Sequence, residues 1–113
     1  MYRDDDVRLR HMRDAAQQAL QFTRGRTRED LDDDPILALA LVKLIEIVGE
    51  AAGQVSHEGR IRVADLPWTD IVGMRNRLVH AYFDINLDIL WQTIVQDLPT
   101  IVALLNGALG TVP

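Results

Sequence analysis

Apolar positions along the chain recur mostly at intervals of three and four, the spacing that brings side chains to one face of an α-helix. Between Asp4 and Arg24 they are Val7, Met12, Ala15, Ala16, Ala19 and Phe22, which predicts an amphipathic helix. Asp4 to Asp6 stand at its start, where the helix dipole favours negative charge. Gly25 ends it, and Thr27-Arg28-Glu29-Asp30 has the shape of a capping box opening a short turn. Asp34-Pro35 reads as an N-cap followed by proline at the first helical position, so a second helix is expected from Pro35 to about Ser56.

In that second helix Ile36, Leu37, Leu39, Val42, Leu44, Ile45, Ile47, Val48, Ala51, Ala52 and Val55 cover far more than one narrow stripe. Such a spread implies burial on several sides. A small helical protein has few neighbours to offer, so the expected completion is a second copy packed across a two-fold axis. Gly49 and Gly53, one turn apart, each cost about 1 kcal/mol against alanine in a helix interior, which points to a close helix approach. The stretch from His57 to Leu66 reads as a loop, because Gly59 and Pro67 bracket only a brief alternation of Ile61 and Val63. Pro67 opens a third helix through Ile71, Met74 and Leu78, and Asp84 to Asn86 offer caps for a fourth carrying Leu87, Leu90, Trp91, Ile94 and Leu98. Pro99 lacks a backbone donor and is expected to kink or break the fourth helix, leaving a short fifth one over Thr100 to Leu105.

Composition narrows the class. The chain has 113 residues, 48% hydrophobic but only 5% aromatic, which suits an all-α core of Leu, Ile, Val and Ala in one domain, residues 1–113. There is no cysteine, which fits a reducing cytoplasm. The charged N-terminus has no secretory pattern, and Lys43, Glu46 and Glu50 interrupt the most apolar helix, so a soluble protein with no membrane span is expected. The net charge of −5 excludes a broad surface for coating nucleic acid and leaves room for a local phosphate site. Lys43 is the only lysine beside a majority of arginines, a bias that suits phosphate recognition and equally a general habit of composition.

The segment Arg75-Asn76-Arg77-Leu78-Val79-His80-Ala81-Tyr82 gathers the chemistry. A guanidinium presents a planar fork of donors to phosphate oxygens. An imidazole, with an ordinary pKa of about 6.5, exchanges protons near neutrality. On a regular helix Tyr82 would lie on nearly the same side as Arg75, while His80 would lie about 140° away. One straight helix therefore makes an awkward site, which unwinding near Val79 and His80, or assembly from two copies, would resolve. Each residue also has a structural use: Arg75 as a partner of Glu46 or Glu50, His80 as a C-terminal cap, Tyr82 as half-buried core. Residue types alone favour the structural uses. Asn76, four residues before His80, is placed to orient the imidazole or touch a bound substrate, and Arg77 to pair with Asp70 on the surface.

The spacing R-x-x-x-x-H-x-Y, preceded by Pro67-Trp68 and Gly73-Met74, resembles the HepT-like branch of the HEPN superfamily. The likeness extends from Gly49-Glu50 through Trp68 and the motif to Trp91 and Pro99. It implies an all-α, four- to five-helix up-and-down bundle forming a two-fold homodimer. It further implies a metal-independent ribonuclease toxin, acting on mRNA or tRNA and paired with a minimal nucleotidyltransferase antitoxin. Arg75 and His80 would then be catalytic at the dimer cleft, promoting attack of an RNA 2′-hydroxyl to leave a 2′,3′-cyclic phosphate. Glu50 and Asn76 would support them, one of Glu46 and Glu50 orienting Arg75, and Tyr82 would be the site of AMP attachment by the partner.

No cofactor and no metal is expected. His11 and His57 have no second ligand at helical or finger spacing, and there is no Glu-x-x-His pair for a di-iron site. Trp68 and Trp91 read as core anchors. The competing reading keeps the same dimer as a non-catalytic nucleotide- or RNA-binding subunit of the nucleotidyltransferase. A purely structural helical dimer explains neither Arg75 nor His80.

Overall fold

The computed structural model describes residues 2–80 and 84–110, with side chains over 4–79 and 84–110. Helix α1, Tyr2–Thr23, buries Leu9, Met12, Ala16 and Ala19 completely, a stripe spaced three and four apart that packs on the third and last helices. Val7 and Phe22, expected on the buried face, are instead 39% and 40% exposed. Leu9 and Thr23 hold those places, and the Thr23 hydroxyl donates to the Ala19 carbonyl at 2.9 Å. The acidic start of α1 stands in its first turn as expected, and one of its residues does more. Asp5 is buried and reaches across the molecule, accepting from the Ser56 amide at 2.9 Å and the Ser56 hydroxyl at 2.5 Å.

A single turn, α2 (Asp30–Asp33), follows the loop, where the Thr27 amide donates to Asp30 Oδ2 at 2.8 Å. Helix α3, Pro35–Gly53, opens as its sequence predicts, with the Leu37 amide donating to Asp34 Oδ1 at 3.0 Å. It stops short of Ser56. Leu37, Ala38, Leu41, Leu44, Ile45, Val48, Ala51 and Ala52 are all buried within the chain. The premise that so apolar a helix needs a second copy therefore fails for most of its length, and only Ile36 and Leu39, 79% and 59% exposed, remain uncovered.

The expected loop after α3 begins as a helix, α4, His57–Arg62. Ser56 caps it by accepting the Gly59 amide at 3.1 Å. Gly59 was a misleading signal because its role is packing: a Cβ there would stand 2.7 Å from both Asp5 Oδ2 and Val55 Cγ1. Arg62 adds an ion pair to Asp6 at 2.8 Å, so α4 is tied to the start of α1 twice.

The third predicted helix is two short ones, α5 (Trp68–Val72) and α6 (Met74–Leu78), divided at Gly73. Trp68 anchors the first: half-buried, it donates from Nε1 to the Val63 carbonyl at 3.1 Å, with the Arg60 guanidinium 5.4 Å over its ring. After α6 come two short antiparallel strands, β1 (Val79–His80) and β2 (Asp84–Ile85). Asn86 then caps α7, Leu87–Gln92, by accepting the Ile89 amide at 3.1 Å.

Pro99 does not break the helical run. The chain widens into a π-helical turn over Thr93–Asp97 and enters α8, Leu98–Leu109, with proline in its first turn. A proline offers no amide to the carbonyl four residues back and its ring crowds that carbonyl, and the wider turn accommodates both. The architecture is an all-α bundle around one cluster drawn from α1, α3, α5, α6, α7 and α8. Among the described residues no helix is long and apolar enough to cross a membrane.

The Asp5 link makes a prediction about acid. The Ser56 hydroxyl and then its amide hold the Asp5 carboxyl below its ordinary value, and Arg62 adds a smaller pull. A carboxyl with a depressed folded pKa contributes stability that is fully present above its unfolded value of about 3.9 and is lost as pH falls through the folded one. Urea midpoints measured from pH 6 down to pH 3 should fall for the wild type. Asp5→Asn should start lower and show a shallower acid limb; an unchanged limb would refute this role for Asp5.

Candidate active site

Helix α6 lies against α3 because of one missing side chain. A Cβ on Gly49 would stand 3.1 Å from the Ile71 carbonyl oxygen and 3.4 Å from that of Val72, so the end of α5 presses closely on α3 and a side chain at 49 would need it to give by a few tenths of an ångström. Gly53 meets nothing within 4 Å and takes no part in that contact. The close approach brings Arg75, on α6, over Glu46, on α3: Arg75 Nε stands 3.2 Å from Glu46 Oε2. The other Glu46 oxygen receives the Lys43 ammonium at 3.0 Å, and the hydrogen bond to Glu46 raises the Lys43 pKa. Glu46 therefore sits between two cations, and Arg75 stays half-exposed.

Beside this pair is a recess of about 370 Å³, floored by Gly49 and Gly53 and edged by Glu46, Glu50, Arg75 and Asn76. Glu50 and Asn76 thus share the recess with Arg75, but Glu46 takes the guanidinium. Lys43 was not singled out from the sequence, although its i, i+3 spacing to Glu46 was a legible signal. Arg77 stands 4.0 Å from Asp70, both exposed, a surface pair at the limit of contact.

The helix ends at Leu78. Val79 is extended, with φ −121° and ψ 115°, Val79 and His80 pair with Ile85 and Asp84 respectively, and the Asn86 amide closes on the Leu78 carbonyl at 2.7 Å. Helical angles do not apply beyond Leu78, so the 140° separation expected between Arg75 and His80 is replaced by a turn from helix into strand. Unwinding at Val79 and His80 is one of the two ways the awkward spacing could be relieved. The His80 side chain and Tyr82 lie outside the described residues.

A helical bundle with an arginine on the helix that leads into the His80 strand is matched by one family model, ribonuclease HepT-like, over residues 12–107. The chain belongs to the HepT-like ribonuclease family. It is 36% identical over 91 residues to a protein of Caldanaerobacter subterraneus subsp. tengcongensis named "Putative RNase", covering 80% of this chain and 81% of that one. It is 32% identical over 81 residues to the "Probable ribonuclease HepT" of Thermococcus cleftensis, covering 72% and 74%. A "Putative RNase" of Methanocaldococcus jannaschii is 29% identical over 99 residues, covering 88% and 91%. No solved structure matches the chain.

In this HepT-like chain the assignment of Glu46 over Glu50 is open to a direct check. Exposed ion pairs contribute about 0–1 kcal/mol. A double-mutant cycle of Glu46→Ala with Arg75→Ala, read by urea unfolding, should give a coupling within that range. The cycle of Glu50→Ala with Arg75→Ala should give none, and a larger coupling to Glu50 would reverse the assignment.

Proposed function

We propose that this chain is the toxin of a toxin–antitoxin pair, an endoribonuclease that cuts RNA without a metal and is silenced by a minimal nucleotidyltransferase. The observation that carries the reading is Arg75: its guanidinium is fixed at one nitrogen by Glu46 and faces the recess on the helix that runs directly into the His80 strand. An arginine oriented by one carboxylate and still half-exposed is placed to take a phosphate with the rest of its fork.

In the proposed reaction the 2′-oxygen of the RNA attacks the adjacent phosphorus and the bond to the 5′-oxygen of the next nucleotide breaks. His80 accepts the 2′-hydroxyl proton or protonates the leaving 5′-oxygen. Arg75 stabilises the charge that grows on the phosphoryl oxygens, and Asn76 and Glu50 line the approach. The products are a 2′,3′-cyclic phosphate and a 5′-hydroxyl. Two copies related by a two-fold axis would supply two imidazoles, one for each proton transfer, and the uncovered Ile36 and Leu39 favour such a dimer. In this reading the chain acts as one domain, residues 1–113, in the cytoplasm, on mRNA or tRNA. AMP attached to Tyr82 adds phosphodiester charge two residues from His80, which repels the RNA backbone.

Purified protein incubated with tRNA or mRNA should produce cyclic-phosphate ends. His80→Ala should slow cleavage about 10²–10⁴-fold and Arg75→Ala about 10²–10³-fold, with melting temperatures close to wild type. Full activity in a folded His80→Ala protein sinks the assignment. Given a minimal nucleotidyltransferase and ATP, wild-type protein should gain AMP, detected as a mass increase, and Tyr82→Phe should gain none. AMP transfer without any RNA cleavage would instead establish the non-catalytic partner subunit.

A further inference from the structure

A second recess, of about 210 Å³, lies on the side of α6 turned away from Arg75. Arg77, which lines it, is two residues on from Arg75 and so projects about 200° round the helix. Its floor is apolar: Ile71, Met74 and Ile101 are all at least 97% buried. Its edge is polar, formed by Gln96, Asp97 and Thr100. Asp97 ends the π-helical turn, so the same widening that accommodates Pro99 brings Gln96 and Asp97 to this edge. π-helical turns inside helices are frequent at functional sites.

The polar groups there are uncommitted. Asp97 precedes α8 without capping it by its side chain, and it has no ion pair among the described residues. Asp70 and Arg77, at the mouth, are 4.0 Å apart, too far for a hydrogen bond. A cavity of about 150 Å³ holds a benzene ring, so 210 Å³ takes a larger planar ring. The carboxylates of Asp70 and Asp97 outnumber the one guanidinium, which disfavours an anion inside the recess and favours a neutral ring with N–H donors.

We propose that this recess is a nucleobase pocket that takes guanine from an RNA nucleotide near the cleaved phosphate. Guanine offers two neighbouring donors, N1–H and the exocyclic amine, and an ionised carboxylate such as Asp97 accepts both at its two oxygens. The aliphatic floor lies under the ring face, where RNA-reading proteins more commonly place an aromatic ring or a guanidinium. Arg77 is left to face the phosphate of the same nucleotide. The two recesses are separated by one helix, about 10 Å across, which a single strand spans in about three nucleotides or fewer. The pocket therefore gives the site a preference for sequence that Arg75 and His80, which meet only backbone groups, do not supply. The inference rests on reading the protein as a ribonuclease, but its test does not depend on cleavage.

The full-length protein, labelled with ¹⁵N, is titrated with GMP, AMP, CMP, UMP and inorganic phosphate. GMP should shift the amides of Met74, Gln96, Asp97 and Thr100 at concentrations at least fivefold below the other nucleotides, the lower end of what one bidentate base contact discriminates. Asp97→Asn should remove that preference, and Thr100→Trp, which fills the recess, should remove the shifts altogether while the melting temperature stays near wild type. If the protein cuts RNA, cleavage sites in a random-sequence pool should show guanine enriched at one fixed offset, and Asp97→Asn should erase it. Equal shifts from all four nucleotides, shifts from phosphate alone, or tighter binding of an arginine-rich peptide would each overturn the assignment. A protein that binds GMP here and cuts no RNA would overturn the ribonuclease reading and leave the pocket standing.

Discussion

The distance between α3 and α5 sets the geometry of the candidate site, and Gly49 sets that distance. Two backbone carbonyls, those of Ile71 and Val72, stand 3.1 and 3.4 Å from where any other residue would carry its Cβ. Backbone cannot rotate away as a side-chain tip can, so a Cβ at 49 would shift the end of α5 by a few tenths of an ångström and a larger side chain by more. Everything downstream moves with it: the break at Gly73, the short helix α6, the reach of Arg75 to Glu46, and the strand that begins at Val79. The site is thus held by packing between main chains, which is stiffer than contact between side chains.

That stiffness matters because the polar part of the site is weakly held. The Arg75–Glu46 contact is largely open to water, where an ion pair contributes little and salt screens it. Its value is geometric. Glu46 constrains one nitrogen of the guanidinium, and Lys43 holds the opposite oxygen of Glu46, so a phosphate that draws Arg75 away leaves the carboxylate with a cation still beside it. Loss of one partner from a buried pair would strand a charge at high cost. Here the exposed, three-membered arrangement lets the arginine exchange its partner cheaply.

Much of the architecture was legible in local chemistry. Asp34-Pro35 and Asn86 cap the helices they were expected to cap, and helices stand where α1 and α3 were expected. The misreadings have particular causes. Gly59 looked like a loop residue because a glycine is a local signal, whereas its reason is Asp5, more than fifty residues away. Val7 and Phe22 fit the apolar stripe of α1 by spacing, but the core leaves both partly exposed. Pro99 was expected to kink or break a helix, and a π-helical turn with Thr93 and Ile94 buried precedes it instead. Glu46 and Glu50 are equivalent by spacing, and the position of α6 alone distinguishes them.

What the sequence determined by itself was the class of the protein: helical, built on aliphatic side chains, and carrying a motif whose spacing identifies its family. Such properties follow from patterns within ten or so residues, where propensity, capping and residue chemistry act. Tertiary structure alone decided which carboxylate meets Arg75, that α3 is nearly covered by its own chain, and that the motif passes from helix to strand at Val79. Those depend on where distant segments come to rest, and that is governed by a balance of contacts across the whole core which no local pattern contains.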